Sequence, residues 1–231
     1  MKMKNKNQNI FTTNTQNFNQ FSANFIKEKL EKIKHKNVIN IALSGGSTPI
    51  PILNILKGFK LNWDKFNFFL VDERFVNVNS DESNYKNINA SFFKDISSVN
   101  FPMLQENLSL DQTVISYRKK IEKNLKFVKP NLPKFDLIIL GMGEDGHTAS
   151  LFPNTEALNE QDNFVVKNYV PQLDSFRITL SYPTLLNCEE SIILIKGKEK
   201  EEIFEEIICG EGLKYPITKL LNSKTNWIIG V

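Results

Sequence analysis

The sequence predicts an α/β fold in one domain, with helices flanking a mostly parallel β-sheet. Short apolar runs alternate along the chain with segments of helical periodicity, the order expected of parallel strands joined by helices. The run Leu137-Ile138-Ile139-Leu140 lacks polar alternation, which is typical of a strand buried on both faces. No internal repeat or linker-like stretch divides the 231 residues. Together these observations favour a Rossmann-like three-layer sandwich.

The elements are predicted in order from apolar runs, periodicity and turn residues. Predicted strands lie at 38–43, 66–71, 137–140, 165–166, 177–180, 191–195 and 227–229. Predicted helices lie at 18–34, 49–58, 85–93, 111–121, 183–187 and 198–208. Residues 1–16 are basic and polar without an apolar segment, so we expect a flexible tail there rather than a secretory signal. Residues 17–231 are expected to form the domain.

Individual residues define the starts of the predicted helices. Apolar side chains recur at helical spacing from Phe18 to Ile33, which indicates an amphipathic first helix. Thr48 suits the N-cap of the second helix, and Pro49 suits its first position because proline has no N–H to leave unsatisfied. Asp111 is predicted to cap the fourth helix.

Composition and charge exclude several classes of protein. A net charge of +3 is mild and suits an anionic small molecule, but it is far from the basic footprint of a nucleic-acid-binding protein. No apolar run is long enough to span a bilayer, so we expect no membrane association. Cys188 and Cys209 lack metal or redox spacing, and two reduced thiols in a cytoplasmic protein are the simplest interpretation.

The turn Ser44-Gly45-Gly46-Ser47-Thr48 predicts an anion site. It joins a strand to a helix N-terminus, so free backbone N–H groups and the positive end of a helix dipole point to one spot. Phosphate is the most natural ligand, although the lysine of a P-loop is missing and a nucleotide triphosphatase is disfavoured. A tight turn without a ligand is the alternative that residue chemistry leaves open.

Charged residues also follow the second predicted strand, as Asp72-Glu73-Arg74. Such a run usually marks the emergence of a strand into solvent, but the carboxyl edge of an α/β sheet is also where sites assemble. Arg74 could bind a phosphate or a carboxylate through two parallel hydrogen bonds. We therefore treat Arg74 as a candidate ligand-binding residue.

The stretch 141–153, which reads GMGEDGHTASLFP, carries the predicted chemistry. Its G-x-G-x-x-G pattern does not indicate a dinucleotide site, because Pro153 interrupts the long helix that such a site needs. His147 could act as a general base, with Asp145 orienting the ring. A purely structural histidine, and an Asp145 that only caps the next turn, are the alternatives. No serine-nucleophile elbow and no metal-ligand spacing is present.

Four motifs in order resemble the 6-phosphogluconolactonase family. They are SGGSTP at 44–49, DERFV at 72–76 followed by Ser83-Asn84-Tyr85, GMGEDGHTASLFP at 141–153 and RITLS at 177–181. The resemblance covers nearly the whole chain after the N-terminal tail. It implies hydrolysis of 6-phosphogluconolactone to 6-phosphogluconate in the pentose phosphate pathway, with neither a metal nor an organic cofactor. The implied partner is the phosphosugar lactone alone, and the sequence does not distinguish a monomer from a homodimer.

The resemblance also implies roles for individual residues. The loop at 44–48 would hold the phosphate, Arg177 would assist it and Arg74 would line the sugar pocket. Asp145 and His147 would carry out the hydrolysis. Lys200 would bind substrate, since Gly197-x-x-Lys200 resembles a late glycine–lysine element of the family.

Two other functions stay open on the sequence alone. A glucosamine-6-phosphate deaminase is similar in motif order, and Asp72 occupies the place of the aspartate that abstracts a sugar proton there. The tyrosine of its D-E-Y motif is replaced by Arg74, and the glutamate before its loop proline is missing. A non-catalytic sugar-phosphate sensor is the third possibility, but a pure binder would need no proton-transferring pair such as Asp145 and His147.

Overall fold

The computed structural model describes residues 2–3 and 9–231. The strands of the main sheet are β1 Lys2–Met3, β2 Asn9–Thr13, β3 Ile39–Leu43, β4 Phe66–Leu70, β6 Val99–Phe101, β9 Leu137–Gly141, β12 Glu190–Lys196 and β13 Thr225–Gly230. A second sheet contains β5 Asp72–Arg74, β10 Val165–Val170 and β11 Ser175–Leu180, and β7 Lys126–Lys129 pairs with β8 Leu132–Lys134 in a hairpin. The helices are α1 Phe18–Ile33, α2 Pro49–Leu56, α3 Asn84–Ser91, α4 Leu110–Asn124, α5 Tyr182–Leu186 and α6 Lys198–Cys209.

The main sheet has the spatial order β1-β2-β13-β12-β9-β3-β4-β6. In this spatial order, every pair of neighbouring strands is parallel except the first, in which β1 is antiparallel to β2. From β3 the chain continues outward through β4 and β6, whereas from β9 it continues in the opposite direction through β12 and β13. The sheet therefore reverses its order between β3 and β9, and such a reversal leaves a crevice beyond the carboxyl ends of the two strands.

The core confirms the predicted α/β class. Leu137, Ile138, Ile139 and Leu140 in β9 are all buried, although successive side chains point to opposite faces of the sheet. Both faces of the sheet are thus covered at its centre, which is the arrangement that the continuous apolar run predicted. Among the described residues, no helix combines the length and apolarity needed to cross a bilayer.

The second sheet is antiparallel, with the order β10-β11-β5. Its strand β5 directly follows β4, and Val71 between them bonds to both sheets: its N–H donates to Leu43 and its carbonyl accepts from Leu180. The sequence predicted strands at 177–180 and 165–166 but not their separation into a sheet of their own. This sheet forms one wall of the cleft described below.

Two predictions of local structure are wrong. Residues 9–13 of the expected flexible tail form β2, which pairs in parallel with β13; residues 1 and 4–8 of that tail lie outside the described residues. Strand β2 lies next to the edge strand β1 and buries only Ile10, so it shows no continuous apolar run. The cap of α4 is Ser109 rather than Asp111, because Ser109 and Gln112 form a reciprocal capping box.

Candidate active site

The carboxyl ends of β3 and β9 bring two glycine-containing loops together. Leu43 pairs with Ile139 in the sheet, and the N–H of Ser44 donates to the carbonyl of Ile139 at 2.9 Å. The loop at 44–48 therefore starts beside the loop at 142–147. The cleft lies at the order reversal of the sheet, where open α/β sheets bind their ligands.

The loop at 44–48 presents unpaired backbone donors. Within the part of the chain that the structure describes, no group accepts a hydrogen bond from the N–H of Gly45, Gly46, Ser47 or Thr48. Thr48 occupies the N-cap position of α2 and Pro49 is its first residue, as predicted, but the side chain of Thr48 makes no capping bond with any described residue. Four free N–H groups at a helix N-terminus form a site for an anion.

Two glycines of this loop are required by its geometry. A Cβ on Gly45 would lie 2.2 Å from Oδ1 of Asn84, so only glycine lets the loop pass this side chain. Gly46 has a φ of +99°, a conformation that glycine adopts at little cost. The backbone can therefore turn sharply while its N–H groups stay exposed to the cleft.

A tight turn fixes the second loop. The N–H of Gly143 donates to the carbonyl of His147 at 2.9 Å, and the N–H of Gly146 donates to Gly143 at 3.1 Å. The segment after α6 supports the turn from behind, since Ile217 donates to the carbonyl of Gly146 and Tyr215 packs where a Cβ on Gly146 would stand. The turn thereby directs His147 into the cleft.

His147 and Asp145 form a hydrogen-bonded pair. Nδ1 of His147 lies 2.5 Å from Oδ1 of Asp145, and the same oxygen accepts from the backbone N–H of His147 at 3.1 Å. Asp145 therefore orients the ring and caps the turn at once, so the two predicted roles are compatible. Burial opposes ionisation of Asp145, but the hydrogen bond and charge of His147 outweigh it and lower the pKa of the carboxyl.

Packing determines the position of the imidazole. The ring stacks on Phe152 with centroids 3.9 Å apart, and a Cβ on Gly143 would lie 2.1 Å from Nδ1. Nε2 has no hydrogen-bond partner among the described residues, so it is available to a water molecule or a ligand. A ring held at Nδ1 with a free Nε2 has the arrangement of a general base.

Successive side chains of β5 point to opposite faces, so the middle one of three neighbouring charged residues points away from the other two. Asp72 and Arg74 point toward the cleft, whereas Glu73 points to the other side, where it is fully buried. There its carboxylate accepts hydrogen bonds from the N–H groups of Asn84 and Tyr85 at the start of α3. The alternative interpretation, in which this charged run emerges into solvent, does not hold for Asp72 and Glu73, because both side chains are buried.

Asp72 is a buried carboxylate at the floor of the cleft. Its Oδ2 accepts from the hydroxyl of Ser150 at 2.6 Å. Burial raises the pKa of the Asp72 carboxyl, while the bond from Ser150 and the nearby positive charges act in the opposite direction. The bond from Ser150 and these positive charges therefore favour the ionised form of Asp72, whereas burial opposes it.

Two arginines lie side by side in the cleft wall. Arg74 in β5 pairs with Arg177 in β11, and Nη1 of Arg74 donates to the carbonyl of Glu82 at 2.5 Å. Arg177 is only 8% exposed, and its Nε has no hydrogen-bond partner among the residues that the structure describes. Burial and the charge of Arg74 lower the pKa of the Arg177 guanidinium. A pair of this kind is suited to an anionic ligand.

The cleft has two connected lobes. The glycine-loop lobe, of about 260 Å³, is lined by the loop at 44–48 together with Asn84, and the arginine lobe, of about 430 Å³, by Asp145, Ser150, Phe152, Leu173 and Arg177. The lobes share Asp72, Arg74, Gly143, His147, Ala149 and Lys200. Their combined size falls within the ~300–1,000 Å³ of small-molecule sites.

The structure thus gathers all of the predicted site residues in one cleft. Arg177 lies in the arginine lobe, away from the loop at 44–48. Sequence reasoning did not identify Asn84 or Ser150 as part of the cleft, although Asn84 belongs to the Ser83-Asn84-Tyr85 motif. Among the described residues, no group of three or more potential metal ligands occurs.

Comparison with known proteins finds similar sequences over most of the chain. The family described as glucosamine-6-phosphate isomerases/6-phosphogluconolactonase matches residues 13–229. A 6-phosphogluconolactonase of Thermotoga maritima is 34% identical over 213 residues, which cover 91% of this chain and 93% of that protein. A 6-phosphogluconolactonase of Chlamydia pneumoniae is 33% identical over 219 residues, with 90% and 81% covered.

Solved structures are similar over nearly the full length. The crystal structure of the 6-phosphogluconolactonase from Thermotoga maritima superposes with a TM-score of 0.83 at 30% identity, covering 97% of this chain and 100% of that one. The 6-phosphogluconolactonase from Trypanosoma brucei gives a TM-score of 0.82 at 27% identity, with 96% and 95% covered.

Proposed function

Since the chain belongs to the glucosamine-6-phosphate isomerase/6-phosphogluconolactonase family, we propose that it hydrolyses 6-phosphogluconolactone to 6-phosphogluconate. The observation that carries the proposal is the position of His147. Its imidazole is oriented by Asp145 and lines the same lobe as the free N–H groups of the loop at 44–48. A phosphorylated sugar ring between them would place its ester bond beside a base.

We infer that His147 acts first as a general base. Nε2 takes a proton from water while the water oxygen bonds to the lactone carbonyl carbon, which gives a tetrahedral oxyanion. The carbon–ring-oxygen bond then breaks, and the ring oxygen takes the proton back from the imidazolium. Asp145 stabilises the imidazolium between these two steps.

Cations on the cleft wall suit the charge that develops. Arg74 and Lys200 line both lobes, so either can reach a ligand that extends from one lobe to the other. Positively charged donors beside an oxyanion stabilise the transition state more than the ground state. The sequence-predicted role of Arg74 in the sugar pocket is compatible with this position.

The phosphate is assigned to the loop at 44–48. The unpaired N–H groups of this loop and the N-terminus of α2 attract a dianion, so no lysine of the P-loop type is needed. Arg177 lies in the other lobe, so we expect it to contact the lactone end of the substrate and the carboxylate of the product.

The test is a direct comparison of two reactions. Purified protein is expected to accelerate hydrolysis of 6-phosphogluconolactone above the spontaneous rate, and to release no ammonia from glucosamine 6-phosphate. Ammonia release without lactone hydrolysis would establish the deaminase instead. Binding of 6-phosphogluconate without turnover of either compound would establish a sensor.

A further inference from the structure

Asp72 is a buried charge that the hydrolytic steps above leave unused. It is 6% exposed, yet it lines both lobes of the cleft. A carboxylate here repels an anionic ligand and costs free energy to bury. Its position between the loop at 44–48 and the arginine lobe places it under the middle of a bound phosphosugar.

The carboxylate of Asp72 is held rigidly. Ser150 donates to Oδ2 at 2.6 Å, and Ser150 itself is fixed on both sides. Its backbone N–H donates to Oγ1 of Thr179 at 3.3 Å, and its carbonyl accepts from Nδ2 of Asn168 at 2.9 Å. Supporting bonds of this kind are what a recognition group needs, because a loosely held group discriminates poorly.

The second oxygen of this carboxylate is free. Oδ1 of Asp72 makes no hydrogen bond with any described residue, and it is not among the fully enclosed polar atoms without a partner, so it opens into the cleft. A carboxylate oxygen accepts hydrogen bonds and donates none. The groups of a sugar acid that can donate to it are its hydroxyls, since the phosphate dianion would be repelled.

Resting on the proposed lactone hydrolysis, we propose that Oδ1 of Asp72 accepts a hydrogen bond from one ring hydroxyl of the bound lactone, and that Ser150 holds the carboxylate in position for it. Asp72 is then a specificity-determining residue. It distinguishes a polyhydroxy lactone with a correctly placed hydroxyl from one that lacks it. The rival role is purely electrostatic, in which Asp72 only balances Arg74 and Arg177.

Deoxy substrates separate the two roles. Asp72→Asn and the wild type are compared on 6-phosphogluconolactone and on its 2-deoxy, 3-deoxy and 4-deoxy counterparts. A hydrogen bond to a charged group corresponds to about 10- to 100-fold in kcat/KM, so Asp72→Asn is expected to lose this factor on the full substrate. On the deoxy lactone that lacks the contacted hydroxyl, the further loss is expected to be under about threefold, as in a double-mutant cycle.

The control and second variant keep the test decisive. Asp81→Asn makes the same change at a carboxylate whose side chain is 99% exposed, and it should leave all of the rates unchanged. Ser150→Ala keeps the carboxylate but releases it, so a smaller loss with the same dependence on one hydroxyl is expected. This variant decides the question if Asp72→Asn does not fold.

The specificity role would be overturned if a folded variant lost the same factor in kcat/KM on all of the lactones. The electrostatic role would then remain. That outcome leaves the proposed function intact, because the wild type still hydrolyses the parent lactone. A wild type that hydrolyses none of the lactones refutes the proposed function and this inference with it.

Discussion

Arg74 and Arg177 lie directly opposite each other on the antiparallel strands β5 and β11. Like charges in this position destabilise a sheet. Burial of Arg177 adds to the cost, since no described residue accepts a hydrogen bond from its Nε. Asp72 balances part of the positive charge, and an anionic ligand would balance more. The ligand-free cleft is therefore less stable than an uncharged wall would be.

Replacement of Arg177 should separate stability from activity. Arg177→Met is expected to keep or raise the free energy of unfolding of the ligand-free protein, because it removes a desolvated charge beside another cation. It should lower kcat/KM for the lactone by about 10- to 100-fold, the range for a lost charge-assisted hydrogen bond. Urea unfolding and steady-state kinetics measure the two effects.

Arg118 supplies the matched control for this substitution. Its guanidinium donates twice to the carbonyl of Val165, at 2.9 and 2.6 Å, and it lies outside the cleft. Arg118→Met should therefore lower stability and spare kcat/KM. A substantial loss of stability in Arg177→Met would mean that its guanidinium has partners in the folded protein. The two arginines would then not destabilise the cleft wall.

The base role assigned to His147 predicts a loss of turnover without a loss of fold. His147→Ala is expected to lower kcat by ~10²–10⁴-fold, the usual effect of removing a positioned general base. The only other histidine, His35, is exposed and contacts the carbonyl of Lys32 through Nδ1. His35→Ala should keep the wild-type kcat, and a His147→Ala variant within a few-fold of wild type would exclude His147 as the base.

The close approach of Gly143 to His147 gives a subtler prediction. In Gly143→Ala the new methyl would stand 2.1 Å from the imidazole, so the ring must leave its bond to Asp145. We expect kcat to fall by about 10- to 100-fold, since a displacement of about 1 Å at a reacting group has costs of this order. In Gly141→Ala the same methyl has no neighbour within 4 Å, and its smaller effect on kcat is the comparison. Equal rates in the two variants would argue against this account of the ring's position.

Continuous apolar runs and glycine turns made the centre of the molecule predictable from sequence. The strand at 137–140 has no alternation because both faces of the sheet are covered. The turn after it requires Gly143, which lies against His147, and Gly146, which has a φ of +71°. The site residues follow from this, since turns at the carboxyl ends of adjacent parallel strands meet in space. Motif order gave the remaining candidates, Arg177 and Lys200.

Tertiary contacts explain what the sequence could not predict. Strand β2 depends on its pairing with β13, more than 200 residues further along the chain, rather than on its own apolar content. Asp111 was a plausible cap, but Ser109 has Gln112 at the spacing that completes a capping box. Asp72 is buried against Ser150, which lies far from it in the sequence. Glu73 is buried against the start of α3, which lies on the other side of a turn.

A cluster at the opposite end of the sheet makes stability depend on pH. Nζ of Lys36 donates to Asp136 at 2.5 Å and to Glu189 at 2.7 Å, which ties the segment after α1 to the starts of β9 and β12. The hydrogen bond from Lys36 is the largest cause that lowers the pKa of Glu189 below 4.5, against a smaller opposing effect of burial. A carboxyl with a lowered pKa stabilises the fold above its unfolded pKa, and this contribution disappears as the pH falls through the folded value.

Lys36→Met should therefore reduce the dependence of stability on pH in the acid range. Without Lys36 the pKa of Glu189 moves back toward 4.5, so less of the free energy of unfolding is lost when the pH falls below that value. Urea unfolding of both proteins at neutral pH and at about pH 3 measures the difference. Lys119→Met removes an equal charge from an exposed lysine that forms no ion pair with any described residue. This variant should keep the wild-type dependence of stability on pH. If Lys36→Met kept the wild-type dependence of stability on pH as well, the Lys36–Glu189 bond would contribute nothing to acid stability in solution.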